Sequence, residues 1–283
     1  MEDIASLVER LRSRRWEARK AAAQDLVKIG SPAISPLVGI LSDEDPDVRL
    51  VAAKALGWIR NASATGPLTQ NLQDEDPDVR RAVALALSMI GDAEALVPLG
   101  EALSGDSSWH VRAAAAEALG SIGDPRAVPG LVGALGDSYL DVREAAVESV
   151  ARIGQAAVPQ LLDTLAGENS DMRCGAARAL GMIGDPKAVE HLLQALKDGD
   201  PGVRQASIQA LGRIPDSRSV GPIADALKDE SSPVRYAAVK ALERIGDPEA
   251  LGALADVVKD KNWGVHWAAR RAAERIRGAR PGP

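Results

Sequence analysis

Phenylalanine is missing from this 283-residue chain, which has only two tyrosines and five tryptophans. So few rings cannot organise the aromatic cores usual in sandwiches and barrels. The single cysteine, Cys174, excludes an internal disulfide framework and any multi-cysteine zinc site. No apolar run approaches the ~18–20 residues needed to span a bilayer. The opening MEDIASLVERLRSRRW lacks the continuous apolar core of a secretory signal. No membrane association is expected, and a cytoplasmic location is. The formal net charge of −6 carries no general nucleic-acid signal. What is present is 46% hydrophobic, chiefly Ala, Leu, Val and Ile, and 26% charged, which excludes a disordered chain.

Repetition organises the rest. Aligned on Val-Arg, the chain shows Arg19, Arg49, Arg80, Arg112, Arg143, Arg173, Arg204 and Arg235 at steps of 30 to 32 residues, with His266 in a ninth slot. Each unit carries a short helical pattern (AVPGLVGAL, 127–135) and a longer one (PDVRLVAAKALGWI, 46–59). Gly30, Gly91, Gly123, Gly154, Gly184, Gly246 and Gly278 close the second helix in most units, because glycine takes the left-handed cap conformation without a side-chain clash. Asn61 stands in for that glycine in the second unit, and Pro215 demands a different cap in the seventh. Asp-Pro pairs such as Asp124-Pro125 suit an N-cap followed by a helix-opening proline. No segment alternates with period two, so no β-sheet is expected.

The units resemble HEAT repeats, particularly the short type shared with phycobilin lyases. The likeness rests on the first-helix prolines (Pro36, Pro67, Pro98, Pro129, Pro159, Pro222), the inter-helix Asp and the Val-Arg pair. It implies an all-α, right-handed α-solenoid of about nine helix pairs. Residues 1–278 then form one array, in units of roughly 1–30, 31–61, 62–91, 92–123, 124–154, 155–184, 185–215, 216–246 and 247–278. The tail 279–283 is expected to fray.

On a helical wheel with the signature Arg at zero, the apolar positions −1, +3, +4, +7 and +10 fall between about −100° and +40°. The Arg therefore lies within the buried arc, where a bare charge is costly. An Asp stands six residues before it: Asp43, Asp74, Asp106, Asp137, Asp198 and Asp229, with Gly167 interrupting the series and Asp260 preceding His266. The Asp of the preceding turn is read as the partner of Arg49, Arg80, Arg112, Arg143, Arg204 and Arg235. By resemblance these pairs form the ladder that ties HEAT units together.

Positions +1, +5 and +9 point away from the buried arc, and by resemblance they form the floor of a concave face. They hold eleven Lys or Arg and three Glu, leaving 23 cations and 37 carboxylates elsewhere. The floor is basic while the remainder is strongly acidic, an asymmetry that guides partner choice. Trp58, Tyr236 and Trp267 lie on this floor, and Trp16, Trp109 and Trp263 at position −3 lie on its shoulder; Tyr139 alone is off the pattern. Trp58, Arg81, Met89, Trp109, Arg178, Arg213, Tyr236, Lys240, Arg244, Trp263, Trp267, Arg271 and Arg275 form the candidate binding face, because aromatic and Arg side chains are enriched in binding hot spots. Helix-end capping by basic residues and packing by Trp would account for the same pattern without a ligand.

Catalysis is not expected. Glu117, Glu144 and Glu148 cluster on the floor, but Arg178 occupies the matching slot one unit on, which suits an ion pair. Cys174 has no His in a matching slot, and His110, His191 and His266 occupy unrelated positions, so neither a nucleophile pair nor a metal cluster emerges. HEAT-type deoxyhypusine hydroxylases carry His-Glu pairs just after the signature Arg. The equivalents here are Leu50-Val51, Arg81-Ala82, Glu144-Ala145 and Tyr236-Ala237, which cannot hold iron. The expectation is a non-catalytic scaffold without cofactor that binds an acidic protein segment. A phycobilin-lyase-like groove and a glycosylase-like nucleic-acid surface are the alternatives, so a nucleic acid or an anionic small molecule stands as the other partner class.

Overall fold

The computed structural model describes residues 3–278, so the tail 279–283 lies outside the described residues. Among the described residues there is no β-strand. The chain divides into two compact units, Met1–Ile153 and Gly154–Pro283. The first contains α1 (Ile4–Leu11), α2 (Trp16–Ile29), α3 (Ile34–Gly39), α4 (Pro46–Ile59), α5 (Thr65–Gln70), α6 (Pro77–Ile90), α7 (Leu96–Gly105), α8 (Trp109–Ile122), α9 (Val128–Ala134) and α10 (Leu140–Ile153). The second contains α11 (Val158–Leu165), α12 (Ser170–Ile183), α13 (Val189–Ala195), α14 (Pro201–Leu211), α15 (Val220–Asp225), α16 (Ser232–Ile245), α17 (Ala250–Val257) and α18 (Trp263–Gly278). Odd-numbered helices are the short patterns and even-numbered helices the long ones.

Local chemistry starts several of the long helices. Asp45, Asp76 and Asp200 accept backbone N–H bonds from the first turn, and Pro46, Pro77 and Pro201 follow as residues that need no N–H bond there. The short helices begin differently from expectation. Asn61, Asp92, Asp124, Asp185 and Asp216 each accept the N–H two residues on and cap a three-residue 3-10 turn. The α-helix proper starts after that turn, at Thr65, Leu96, Val128, Val189 and Val220.

Four caps correct the sequence reading, the first being Gly30, whose φ of 75° comes with ψ −135°, outside the left-handed helical region. Asn61 is extended, because its side chain is occupied in capping the 3-10 turn. The left-handed residue is Arg60 instead, at φ 56°. At the seventh unit Pro215 cannot take positive φ; α14 stops at Leu211 and the chain turns through residues 212–214. Gly278 is helical, the last residue of α18.

The core is built from alanine and leucine rather than rings. Ala52, Ala53, Leu56, Ala84, Leu87, Ala115 and Leu119 are fully buried between successive long helices. Alanine lets these helices approach closely, and one slot eight residues after the signature Arg needs still less. A Cβ added to Gly120 on α8 would lie 2.4 Å from the Ser149 Cβ and 2.7 Å from its Cα on α10. One added to Gly212, just after α14, would lie 2.8 Å from the Ala241 Cβ on α16. Real Cβ atoms do not approach so closely, so glycine here sets the helix spacing.

Candidate functional site

The signature arginines are buried or nearly so, as their wheel position requires; Arg49 and Arg235 are only 6% and 5% exposed. Their partners correct the sequence expectation. Each Arg donates Nη1 to the main-chain carbonyl six residues before it, that of the preceding Asp in most repeats, as Arg49 does to Asp43 at 2.9 Å, but that of Ser13 for Arg19 and of Gly167 for Arg173. The carboxylate comes from the next repeat. Arg49 forks onto Asp74, Arg80 onto Asp106, Arg112 onto Asp137, Arg173 onto Asp198, Arg204 onto Asp229 and Arg235 onto Asp260, with Nε–Oδ2 distances of 2.7–2.8 Å. The in-register stacking of repeats brings the following loop under the guanidinium, which the wheel of a single helix cannot reveal.

Each carboxylate also accepts the N–H two residues on in its own loop, as Asp198 does from Asp200. Hydrogen bonds from the guanidinium hold Asp137, Asp198 and Asp260 below the usual carboxylate range, against the opposing effect of burial. Two rungs depart from the pattern. Asp43 pairs with Arg12 at 2.8 Å rather than with a signature Arg, while Arg19 reaches Asp47. Arg143 donates to the Asp137 carbonyl, and the next aspartate slot in the sequence is Gly167.

Some of the +1, +5 and +9 positions line depressions within each unit. In the first unit a cavity of about 480 Å³ is lined by Arg81, Leu85, Trp109, His110, Glu117, Glu144 and Glu148. Trp109 stacks on His110, with ring centres 3.6 Å apart, and on Tyr139, 5.9 Å apart at 14°. The Arg112 guanidinium covers the Tyr139 ring at 5.5 Å. Tyr139, off the sequence pattern by one residue, thus joins the aromatic shoulder through the turn before α10. Trp58 is half exposed, and the Met89 methyl packs toward Gly57 beside it. Arg178 is half-buried on α12 and does not line the two basic cavities of its unit.

The cations gather in the second unit. Its floor positions are Cys174, Arg178, Met182, Gln205, Gln209, Arg213, Tyr236, Lys240, Arg244, Trp267, Arg271 and Arg275, with no carboxylate among them. A cavity of about 760 Å³ brings together Gln209, Arg213, Lys240, Glu243, Arg244 and Arg275 from α14, α16 and α18 and the turn after α14. An adjoining one is lined by Tyr236, Trp263, Trp267, Arg270 and Arg271, again with Lys240 and Glu243. Trp263 and Trp267 meet edge to face at 6.0 Å, and Arg270 lies over the Trp267 ring at 5.6 Å. Trp263 is 76% exposed, and Tyr236 and Trp267 are each 46% exposed, so these rings are not core residues. The guanidinium groups of Arg213, Arg244 and Arg271 make no ion pair or hydrogen bond with any described residue.

Glu243 is the residue that sequence reasoning missed. It occupies the slot held by Gly57, Gly120, Gly181 and Gly212 in other repeats. Its side chain is 5% exposed and bonds Lys240 and the Arg275 Nη1, the latter at 2.7 Å. Burial works to raise its carboxyl, but the bonds from Lys240 and Arg275 outweigh that and leave it below the usual range. The available signal was its size in a slot otherwise kept small.

No group of three or more His, Cys, Asp or Glu among the described residues could hold a metal ion, and no helix among them is long and apolar enough to cross a membrane. The Cys174 Sγ lies 3.8 Å from the Gly202 carbonyl oxygen.

A family profile described as HEAT repeats matches residues 4–74, 65–151, 139–211 and 189–274. No curated protein matches the chain. Among solved structures, the karyopherin Kap121p bound to the extreme C-terminus of the protein phosphatase Cdc14p superposes with a TM-score of 0.74 at 14% identity. That match covers 96% of this chain and 37% of the karyopherin, and it shows a shared fold. The complex of CpcE and CpcF of phycocyanin lyase from Nostoc sp. PCC7120 is 25% identical over 53% of this chain and 99% of its own, with a TM-score of 0.49. Human deoxyhypusine hydroxylase is 23% identical over 90% of this chain and 98% of its own, with a TM-score of 0.40.

Proposed function

We propose that this chain, which belongs to the HEAT-repeat family, is a binding scaffold whose second unit receives an acidic protein segment. Its repeats have the length of the short, phycobilin-lyase-like type. One observation carries the reading: Arg213, Arg244 and Arg271 stand exposed and unpaired among the described residues, beside the open rings of Tyr236, Trp263 and Trp267. Unpaired guanidinium groups offer planar, bidentate donors that match a carboxylate. Aromatic faces next to them supply apolar area at low entropic cost. Kap121p, which shares the fold, is bound to a protein's C-terminus in its solved complex, so a peptide ligand is compatible with this architecture.

The test is a titration of a labelled acidic peptide, a single-stranded oligonucleotide and a free bilin, each followed by anisotropy or absorption. The acidic peptide is expected to bind in a salt-sensitive way, and the triple variant Arg244→Glu, Arg271→Glu, Arg275→Glu to abolish it. Unchanged binding by that variant, or binding of the oligonucleotide or bilin alone, would refute the proposal.

A further inference from the structure

Arg213, Arg244 and Arg275 occupy the same slot of three successive repeats, exactly 31 residues apart in each step, and all three line the one cavity of about 760 Å³. Arg244 and Arg275 sit in the last turns of α16 and α18, and Arg213 in the turn just after α14, so their spacing follows that of the three helix ends. Packed helices lie about 8–10 Å apart. The near-contact of residue 212 with Ala241 keeps α14 and α16 toward the short end of that range.

A partner chain must present its charges at the same interval. In a β-strand, side chains on one face recur every two residues, at about 7 Å and then about 13 Å, and neither fits. A polyproline II chain has three residues per turn and rises about 3.1 Å per residue, so one face recurs at about 9 Å. That interval matches. A helical partner needs an apolar strip to receive its apolar face. The strip between the Arg row and the ring-bearing row here holds Gln209, Lys240 and Arg271, which are polar.

Resting on the reading that this face binds an acidic segment, we infer that the segment is extended, of polyproline II type, with an acidic side chain at every third position. The carboxylates meet Arg213, Arg244 and Arg275 in turn. The two intervening side chains of each turn face Tyr236 and Trp267 or solvent. Glu243 has a positioning role: wedged between α16 and α18, it anchors Arg275 and Lys240, while Arg213 and Arg244 remain free to close on the ligand.

The experiment compares three fluorescein-labelled peptides of identical composition by anisotropy at about 50 mM salt, where screening is modest. In one, Asp recurs every third residue with Ala-Pro between; in the second, Asp alternates; in the third, the Asp residues are contiguous. The period-three peptide is expected to bind about tenfold more tightly than either, an advantage of about 1.4 kcal/mol. Arg244→Gln, the loss of the middle cation, is expected to erase that advantage. Equal binding of the three peptides, or an advantage that survives Arg244→Gln, overturns the spacing inference and leaves the acidic-segment reading standing. Failure of all three to bind overturns that reading, and the inference falls with it.

Discussion

At the scale of single residues, side-chain size and protonation decide most. The contact between residue 120 and Ser149 leaves no room for a methyl group. Gly120→Ala should destabilise by about 1–3 kcal/mol, the usual cost of overpacking. Gly100→Ala, inside α7 with nothing within 4 Å, should instead be stabilising by about 0.5–1 kcal/mol. Urea melts of the two variants check the contrast. The ladder carboxylates supply a second test. Asp137, Asp198 and Asp260 have folded pKa values below the unfolded value of about 3.9. A group depressed on folding stabilises fully above its unfolded pKa and loses that contribution as pH falls through the folded one. The melting temperature should therefore hold between pH 8 and 5 and drop below about pH 4, which a pH series of thermal melts reads directly. The burial of the signature Arg was legible from its wheel angle. The role of Glu243 was not, because it depends on a gap between two helices that only packing reveals.

At the scale of elements, the long helices follow from local signals: Asp or Asn caps, prolines in the first turn and an alanine-rich buried arc. The short helices were less legible. Asp124-Pro125 reads as a helix start, yet its cap bond closes a tighter 3-10 turn, and α9 begins only at Val128. Arg60 shows the same limit, since the demand on the Asn61 side chain is set by the turn that follows. The bidentate rung is the recurring polar bond between successive repeats. Asp198→Ala strips Arg173 of its carboxylate while leaving the guanidinium nearly buried, at 16% exposure. A loss of about 2 kcal/mol is expected, in line with a charged hydrogen bond left unmade. Arg173→Met with Asp198→Ala should recover part of it, because the stranded charge is then gone. Chemical denaturation of the single and double variants measures both.

At the scale of the whole molecule, repeat count and all-helical class were legible because nine copies of one pattern average out local ambiguity. The basic floor was legible as a sum, but its distribution is uneven. Glu117, Glu144 and Glu148 offset the cations of the first unit, whereas the floor of the second carries cations alone. An acidic ligand should therefore weaken severalfold between about 50 and 300 mM salt, as screening shortens the reach of that field. Charge-reversing Lys20 and Lys28 in the first unit should leave its affinity unchanged. Anisotropy titrations across that salt range test both.

The rung has one more consequence. In each complete rung donor and acceptor sit 25 or 26 residues apart, so a repeat that carries one offers a socket to the plug of the next. Excising residues 81–112 places Asp137 25 positions after Arg80, the offset at which Arg112 meets it now. Modules can be lost or duplicated whole without orphaning a partner, whereas a cut of half that length strands both halves of the joint. Growth by whole increments is thus built into the bond itself.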